Sequence, residues 1–230
     1  MKSSQSSPLL GGLVDFWQLN GNSNGVNGNN GTDTSITYST GNGKITQGAG
    51  FNGSTSKIVL SSANPTTITV AAWVKLAATG TSGRVISSGH ENYPTSMSGF
   101  VFNLASDKIK LTVAKNTGYT DTVDLNSAVS TTTLTTGVWY HVVGTYDGSN
   151  IKIYVNGALE STTAWASGLA YSSTVRTRIG SQLVTIFAGE TDNHLPWNGA
   201  LDEVGLWNRA LSATEITQLY NSGTGLAYPF

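Results

Sequence analysis

The sequence predicts an all-β fold, a two-sheet antiparallel sandwich closed by one short helix. Three observations carry that expectation. Charged residues make up only 11% of the 230, well under the usual quarter, and Ser, Thr, Asn and Gly supply the polarity instead. That mixture favours strands and turns, because Thr is a strand former and Asn-Gly a turn former. Short apolar or alternating runs recur with no long helical period between them, which argues for antiparallel sheets over a parallel α/β arrangement.

Each element follows in order. Residues 1–12, "MKSSQSSPLLGG", read as an N-terminal arm or linker, and 13–230 as one domain. "LVDFWQL" (13–19) is the opening strand. "NGNSNGVNGNNG" (20–31) follows, and ten of its twelve residues are Asn or Gly. Then come short pieces punctuated by Gly and the strand "SKIVLSS" (56–62). "TITVAAWVKLAA" (67–78) places Ile68, Val70, Ala72, Val74 and Leu76 on one face. Further strands are expected at 83–89, 99–105, 108–115, 138–148, 150–157, 175–181 and 199–208. Asp147-Gly148 and Asn156-Gly157 are hairpin turns, since a two-residue primed turn needs positive φ at one or both positions. "SATEITQLYNSG" is the helix. Ser212 and Glu215 form a capping box, Ile216, Leu219 and Tyr220 share a face, and Gly223 is the expected stop.

Composition also excludes. The net charge is −1 and Lys and Arg are nowhere clustered, so no nucleic-acid partner is expected. No apolar run is long enough to cross a bilayer, so no membrane insertion is expected. The first residues lack the apolar core of a signal peptide. With no Cys, neither disulfides nor thiolate metal sites are available.

Four stretches together resemble the laminin-G-like, concanavalin-A-like jelly-roll superfamily. They are "GLVDFWQLNGN", "GAGFNGSTSKIVL", "WYHVVGTYDGSNIKIYVNGAL" and "WNGALDEVGLWNRALSATEITQLYNSG", and they span about residues 12–223. The resemblance implies a jelly roll of one concave and one convex sheet. It implies no single function, because such modules serve as glycan binders, adhesion domains, accessory domains of hydrolases and parts of phage virions.

The resemblance also implies a structural calcium ion, tying the opening segment to the "F-[DN]-G" turn and to the Asp of the closing strand. The matching positions are Asn20, with Asn22 beside it, then Asn52, Gly53 and Asp202. Relatives carry Asp where this chain has Asn. Calcium affinity rises with ligand charge, so a single carboxylate implies weak binding. Asn20 and Asn22 are accordingly expected to be ordered, and Val26 to Asn30 to form a plain polar turn.

No catalytic residues are expected. A retaining glycosidase needs two carboxyl groups about 5–5.5 Å apart. Related hydrolases place them by a Glu-x-Asp-x-x-Glu pattern, which does not occur here. Asp202 and Glu203 are adjacent, so a regular strand would point them to opposite faces. Asp121 with Asp124, and Glu190 with Asp192, read as loop pairs. His141 reads as a packed strand residue. No His-x-His, His-Glu-x-x-His or Gly-x-Ser-x-Gly spacing occurs.

Binding candidates are the aromatic and His residues of expected loops: Trp165, Trp197, Tyr93, Tyr119, His90 and His194. Trp17, Trp73, Trp139 and Trp207 fall in strand patterns and are assigned to the core. Two readings stand ahead of the rest. One is a non-catalytic recognition or adhesion module for a glycan or surface receptor. The other is a structural or decoration protein of a virion or surface layer, in contact with neighbouring subunits and able to form a homo-oligomer. A divergent hydrolase or lyase is a remote third. Each leading reading places the chain outside the cell, on a cell surface or in a virion.

Overall fold

The computed structural model describes residues 7–93, 96–115, 124–171, 176–186 and 189–230. For residues 90–93, 96, 184–186 and 189–194 it describes the backbone alone. In chain order the strands begin with β1 (Leu13–Trp17), β2 (Thr32–Thr34), β3 (Thr37–Ser39), β4 (Gly48–Asn52), β5 (Lys57–Val59) and β6 (Ile68–Leu76). They continue with β7 (Gly83–Tyr93), β8 (Ser96–Ala105), β9 (Lys108–Lys115), β10 (Leu125–Thr133), β11 (Trp139–Tyr146) and β12 (Asn150–Val155). The last are β13 (Ala158–Ala164), β14 (Thr177–Ile179), β15 (Gln182–Ile186), β16 (Gly189–His194) and β17 (Asn198–Trp207), before helix α1 (Ala213–Tyr220).

Two sheets stack as a sandwich. Sheet 1 runs β13-β12-β11-β6-β17-β4-β3, with β1 also paired to β17. Sheet 2 runs β10-β9-β8-β7-β14-β5-β2, with β15 on β7 and β16 on β15. Alternate residues of facing strands fill the layer between them. Ile68, Val70, Ala72, Val74 and Leu76 of β6 share this core with Phe100, Phe102 and Leu104 of β8 and with Ile109, Leu111 and Val113 of β9. Both expected hairpins form. At the β12–β13 turn, Asn156 has φ 51° and Gly157 φ 79°, the two positive angles of a type I′ turn.

A second apolar layer covers the outer face of sheet 1. Ile216 and Leu219 of α1 pack with Leu9, Ala71, Val143, Tyr154 and Trp207. Burying one such aliphatic side chain contributes about 1.5–3 kcal/mol. The capping box is present, with Glu215 N donating to Ser212 Oγ (3.3 Å) and Ser212 N donating to Glu215 Oε2 (2.8 Å). The helix stops at left-handed Asn221 (φ 47°), two residues before the expected Gly223. Asn tolerates that conformation nearly as well as Gly.

The described end of the expected arm belongs to this layer. Pro8–Leu10 form a 3-10 turn with Leu9 buried. Arg209 donates to Pro8 O (2.8 Å) and Gly11 O (2.6 Å). β6 at Ala71 and β17 at Trp207 are therefore covered on both faces. Trp73 and Trp207 are buried, but Trp207 packs in this outer layer and Trp73 lies tilted against His141 and stacks on Tyr220 (ring centroids 5.2 and 5.9 Å).

The Asn/Gly stretch 20–31 is bonded throughout. Buried Asp15 accepts from Asn27 N (2.9 Å) and Phe16 N (2.7 Å) through Oδ1, and from Asn29 N (2.8 Å) through Oδ2. Asn27 Nδ2 donates to Leu13 O and Val14 O. Trp17 Nε1 donates to Asn29 O (2.8 Å), and Asn29 Oδ1 accepts from Ser61 N (3.0 Å). The expected plain turn at 26–30 is thus the most firmly tied part of the loop.

Candidate functional site

The outer face of sheet 1 is left open beyond the helix. One row across it reads Trp139 (β11), Lys75 (β6), Ala200 (β17), Gly50 (β4) and Thr37 (β3), each paired with the next. Lys75 and Ala200 alternate with the inward-facing Val74 and Leu201. A cleft of about 570 Å³ lies over this row, a volume in the range of small-ligand sites. Its lining includes Ser35, Thr37, Asn42, Gly50, Lys75 and Ala200.

Each wall has a local cause. A Cβ on Gly50 would collide with the Asn42 amide and stand 2.6 Å from Thr37 Oγ1, so only Gly lets Asn42 lie across the floor. Asn42 Nδ2 donates to Thr37 O (3.2 Å), and no described residue donates to its Oδ1. Lys75 Nζ donates to Gly41 O (2.7 Å) and sits 4.9 Å from the centre of the Trp139 ring. An ammonium has three N–H donors, and the described residues supply a hydrogen-bond acceptor to one of them. Trp139 is half-buried and faces outward beside Lys75, which corrects its assignment to the core.

One row further along, β17 carries a bulge. Its pairing with β6 shifts between Asp202 and Gly205, and Glu203 is left-handed (φ 50°). Leu201 and Val204 both enter the inter-sheet core. Two residues therefore lie between two inward ones, and Asp202 and Glu203 share the outer side. This corrects the opposite-face expectation, which assumed a regular strand. Asp202 accepts from Lys44 N and Ile45 N (both 2.8 Å) and from Glu203 N (3.0 Å). Burial pushes its pKa up to about 7 against the pull of those amides. Both Glu203 oxygens lack a hydrogen-bond partner among the described residues, and burial, then the charge of Asp202, pushes this carboxyl up to about 9.

The expected calcium ligands are not brought together. Asn52 pairs with Asn198, four residues along β17 from Asp202, a separation of about 13 Å. Asn52 Oδ1 accepts instead from Ser54, Thr55 and Ser56 N (2.9, 2.8 and 3.1 Å), and Gly53 N donates to Trp197 O. Asn20 does approach the loop that Asp202 holds. Its Oδ1 accepts from Gln47 N (3.0 Å) and Thr46 Oγ1. Asn20 and Asp202 thus grip residues 44–47 directly, and the set does not fit one shared ion. Among the described residues, no three of His, Asp and Glu gather in a metal-holding group.

The expected loop candidates disperse. Trp197 is fully buried in the inter-sheet core, because the chain dives inward just ahead of β17. Trp165 is half-buried against the same core and donates to Gly168 O (2.8 Å). His90 and Tyr93 lie on β7 and His194 ends β16, not on loops. Glu190 and Asp192 also fall on β16. Tyr119 lies outside the described residues. Lys75 and Asn42 were missed. One sequence signal could have marked the cleft, a single Lys within the otherwise apolar "VAAWVKLAA".

The fold and motifs define a lectin-like β-sandwich. The chain belongs to the concanavalin A-like lectin/glucanases superfamily, which it matches over residues 52–217. No curated protein sequence matches it. Among solved structures it is similar to domain 4 of AbnA, a GH43 extracellular arabinanase from Geobacillus stearothermophilus, in complex with arabinotriose. That similarity has 19% identity and TM-score 0.67, over 90% of this chain and 97% of that one. It is also similar to the binding domain of Paraclostridial Mosquitocidal Protein 1 (14%, TM-score 0.69, 94% and 53%). A third is the botulinum neurotoxin serotype D ligand binding domain in complex with N-acetylneuraminic acid (16%, TM-score 0.63, 91% and 50%). The chain spans about half the length of these two toxin domains. At such identities the likeness is one of fold.

Proposed function

We propose that this chain is a non-catalytic extracellular recognition module that binds a glycan in the cleft on the outer face of sheet 1. The observation that carries the reading is the pairing of open hydrogen-bonding groups, Lys75 Nζ and Asn42 Oδ1, over a floor of Gly50 and Ala200 beside Trp139. Sugars are held in this way, with hydroxyls on fixed polar groups and C–H faces against an aromatic ring. Two proteins of the same fold, the arabinanase domain and the serotype D toxin domain, are in complex with sugars, which supports the reading by analogy. None of the described residues lining the cleft is a carboxylic acid, whereas a glycosidase needs a pair of them.

A glycan array tests it. A defined glycan should bind, and Trp139→Ala and Asn42→Ala should each weaken that binding by about tenfold or more, the loss of one good polar or stacking contact. Binding that survives both substitutions puts the site elsewhere. An array with no binder sinks the reading.

A further inference from the structure

Among the described residues, Lys75 is the only charged one lining the cleft. Its ammonium forms no ion pair with any described residue and contacts the Gly41 carbonyl and the Trp139 ring. A second ammonium, Lys44 Nζ, lies 4.6 Å from the centre of the ring of Trp73, two residues before Lys75 on β6. The carboxyls of that row do not line the cleft. Asp202 is fully buried with its oxygens turned to backbone amides, and Glu203 is 4% exposed. Among the described residues, the charge lining the cleft is therefore the single positive one of Lys75, in a chain whose net charge is −1.

Granted the glycan reading above, we propose that the cleft selects sugars bearing a carboxylate, a uronic or sialic acid unit whose carboxylate meets Lys75 Nζ while a ring hydroxyl donates to Asn42 Oδ1. The two groups suit opposite partners. An ammonium with open N–H donors favours an anion, since charge-assisted bonds are about twice as strong as neutral ones. An amide oxygen repels a carboxylate and accepts a hydroxyl. Both are set on one scaffold, because Lys75 bonds the carbonyl of Gly41 and Asn42 is the next residue. The half-exposed setting makes the attraction subject to screening by salt.

Titration calorimetry with trigalacturonate, its carboxyl-reduced counterpart, sialyllactose and lactose tests the proposal. At least one acidic probe should bind about tenfold or more tighter than its neutral partner, a preference that shrinks at high salt. Lys75→Gln should abolish the preference with an unchanged melting temperature, and Lys75→Arg should retain it. Equal binding of acidic and neutral probes, or a preference that survives Lys75→Gln, overturns it. If only neutral probes bind and Asn42→Ala removes that binding, the glycan reading stands and the acidic selectivity falls. If no probe binds at millimolar concentration, both fall.

Discussion

Two stretches rich in Asn and Gly, 20–31 and 41–53, look alike on paper and behave differently in the fold. In the first, Asn27 and Asn29 give both backbone and side-chain groups to Asp15, Leu13, Val14 and Ser61. In the second, Asn52 caps its own turn, but Asn42 ends with an open oxygen beside Lys75. Polar composition marks where turns can form. Only the hydrogen bonds left open mark where a ligand can bind.

The largest expected effect breaks the first stretch. Asp15→Ala leaves three backbone N–H groups without an acceptor and should cost about 3–5 kcal/mol, read from the urea midpoint. A cost near zero would mean that the loop holds itself. Gly25→Ala should come next, at about 1–3 kcal/mol, because its Cβ would run into the Asp15 carboxylate. An unchanged midpoint there would show that the loop can shift freely.

Glu203 sharpens the contrast, being open like Asn42 yet sealed like Asp15. Its folded-state pKa is raised from 4.5 to about 9. The native chain keeps a proton that the unfolded chain releases, so this stability is full below about pH 4.5 and is lost as pH rises toward 9. Glu203→Gln should flatten the fall in melting temperature across that window. Glu215 runs the other way. Arg209 pulls it down to about 2, so its contribution is present above about pH 4.5 and lost as pH falls toward 2. A melting temperature that rises from pH 5 to 9 in the parent chain would contradict the Glu203 assignment.

Asn42→Ala should change stability by less than about 0.5 kcal/mol while weakening glycan binding by about tenfold or more. A large loss of stability would make Asn42 structural, like Asn29. Smallest of all is calcium. Because Asn20 and Asp202 already hold residues 44–47 through their own oxygens, the melting temperature in calcium should equal that in EDTA. A rise of several degrees would instead place an ion against Asp202 and Glu203.

The sequence by itself determined the architecture. Period-two alternation in 68–76 and 108–115, the Asn-Gly and Asp-Gly turns and the Ser212–Glu215 box are local signals, written within a few residues. The Thr- and Ser-rich β10 and the short β2 and β3 were less legible, since their pairing comes from distant strands and not from their own apolarity. The site was largely illegible for the same reason. Trp139, Lys75, Gly50 and Asn42 are brought together by the order of β11, β6, β17 and β4, far apart in the chain. The bulge at Glu203 reversed the face of one acid, because one added residue flips the alternation that a regular strand would obey. Burial of Trp197 and openness of Trp139 were likewise decided only by which strand lay beneath and what covered it. Residue type set what each position could do, and tertiary packing decided which of those groups were left free to do it.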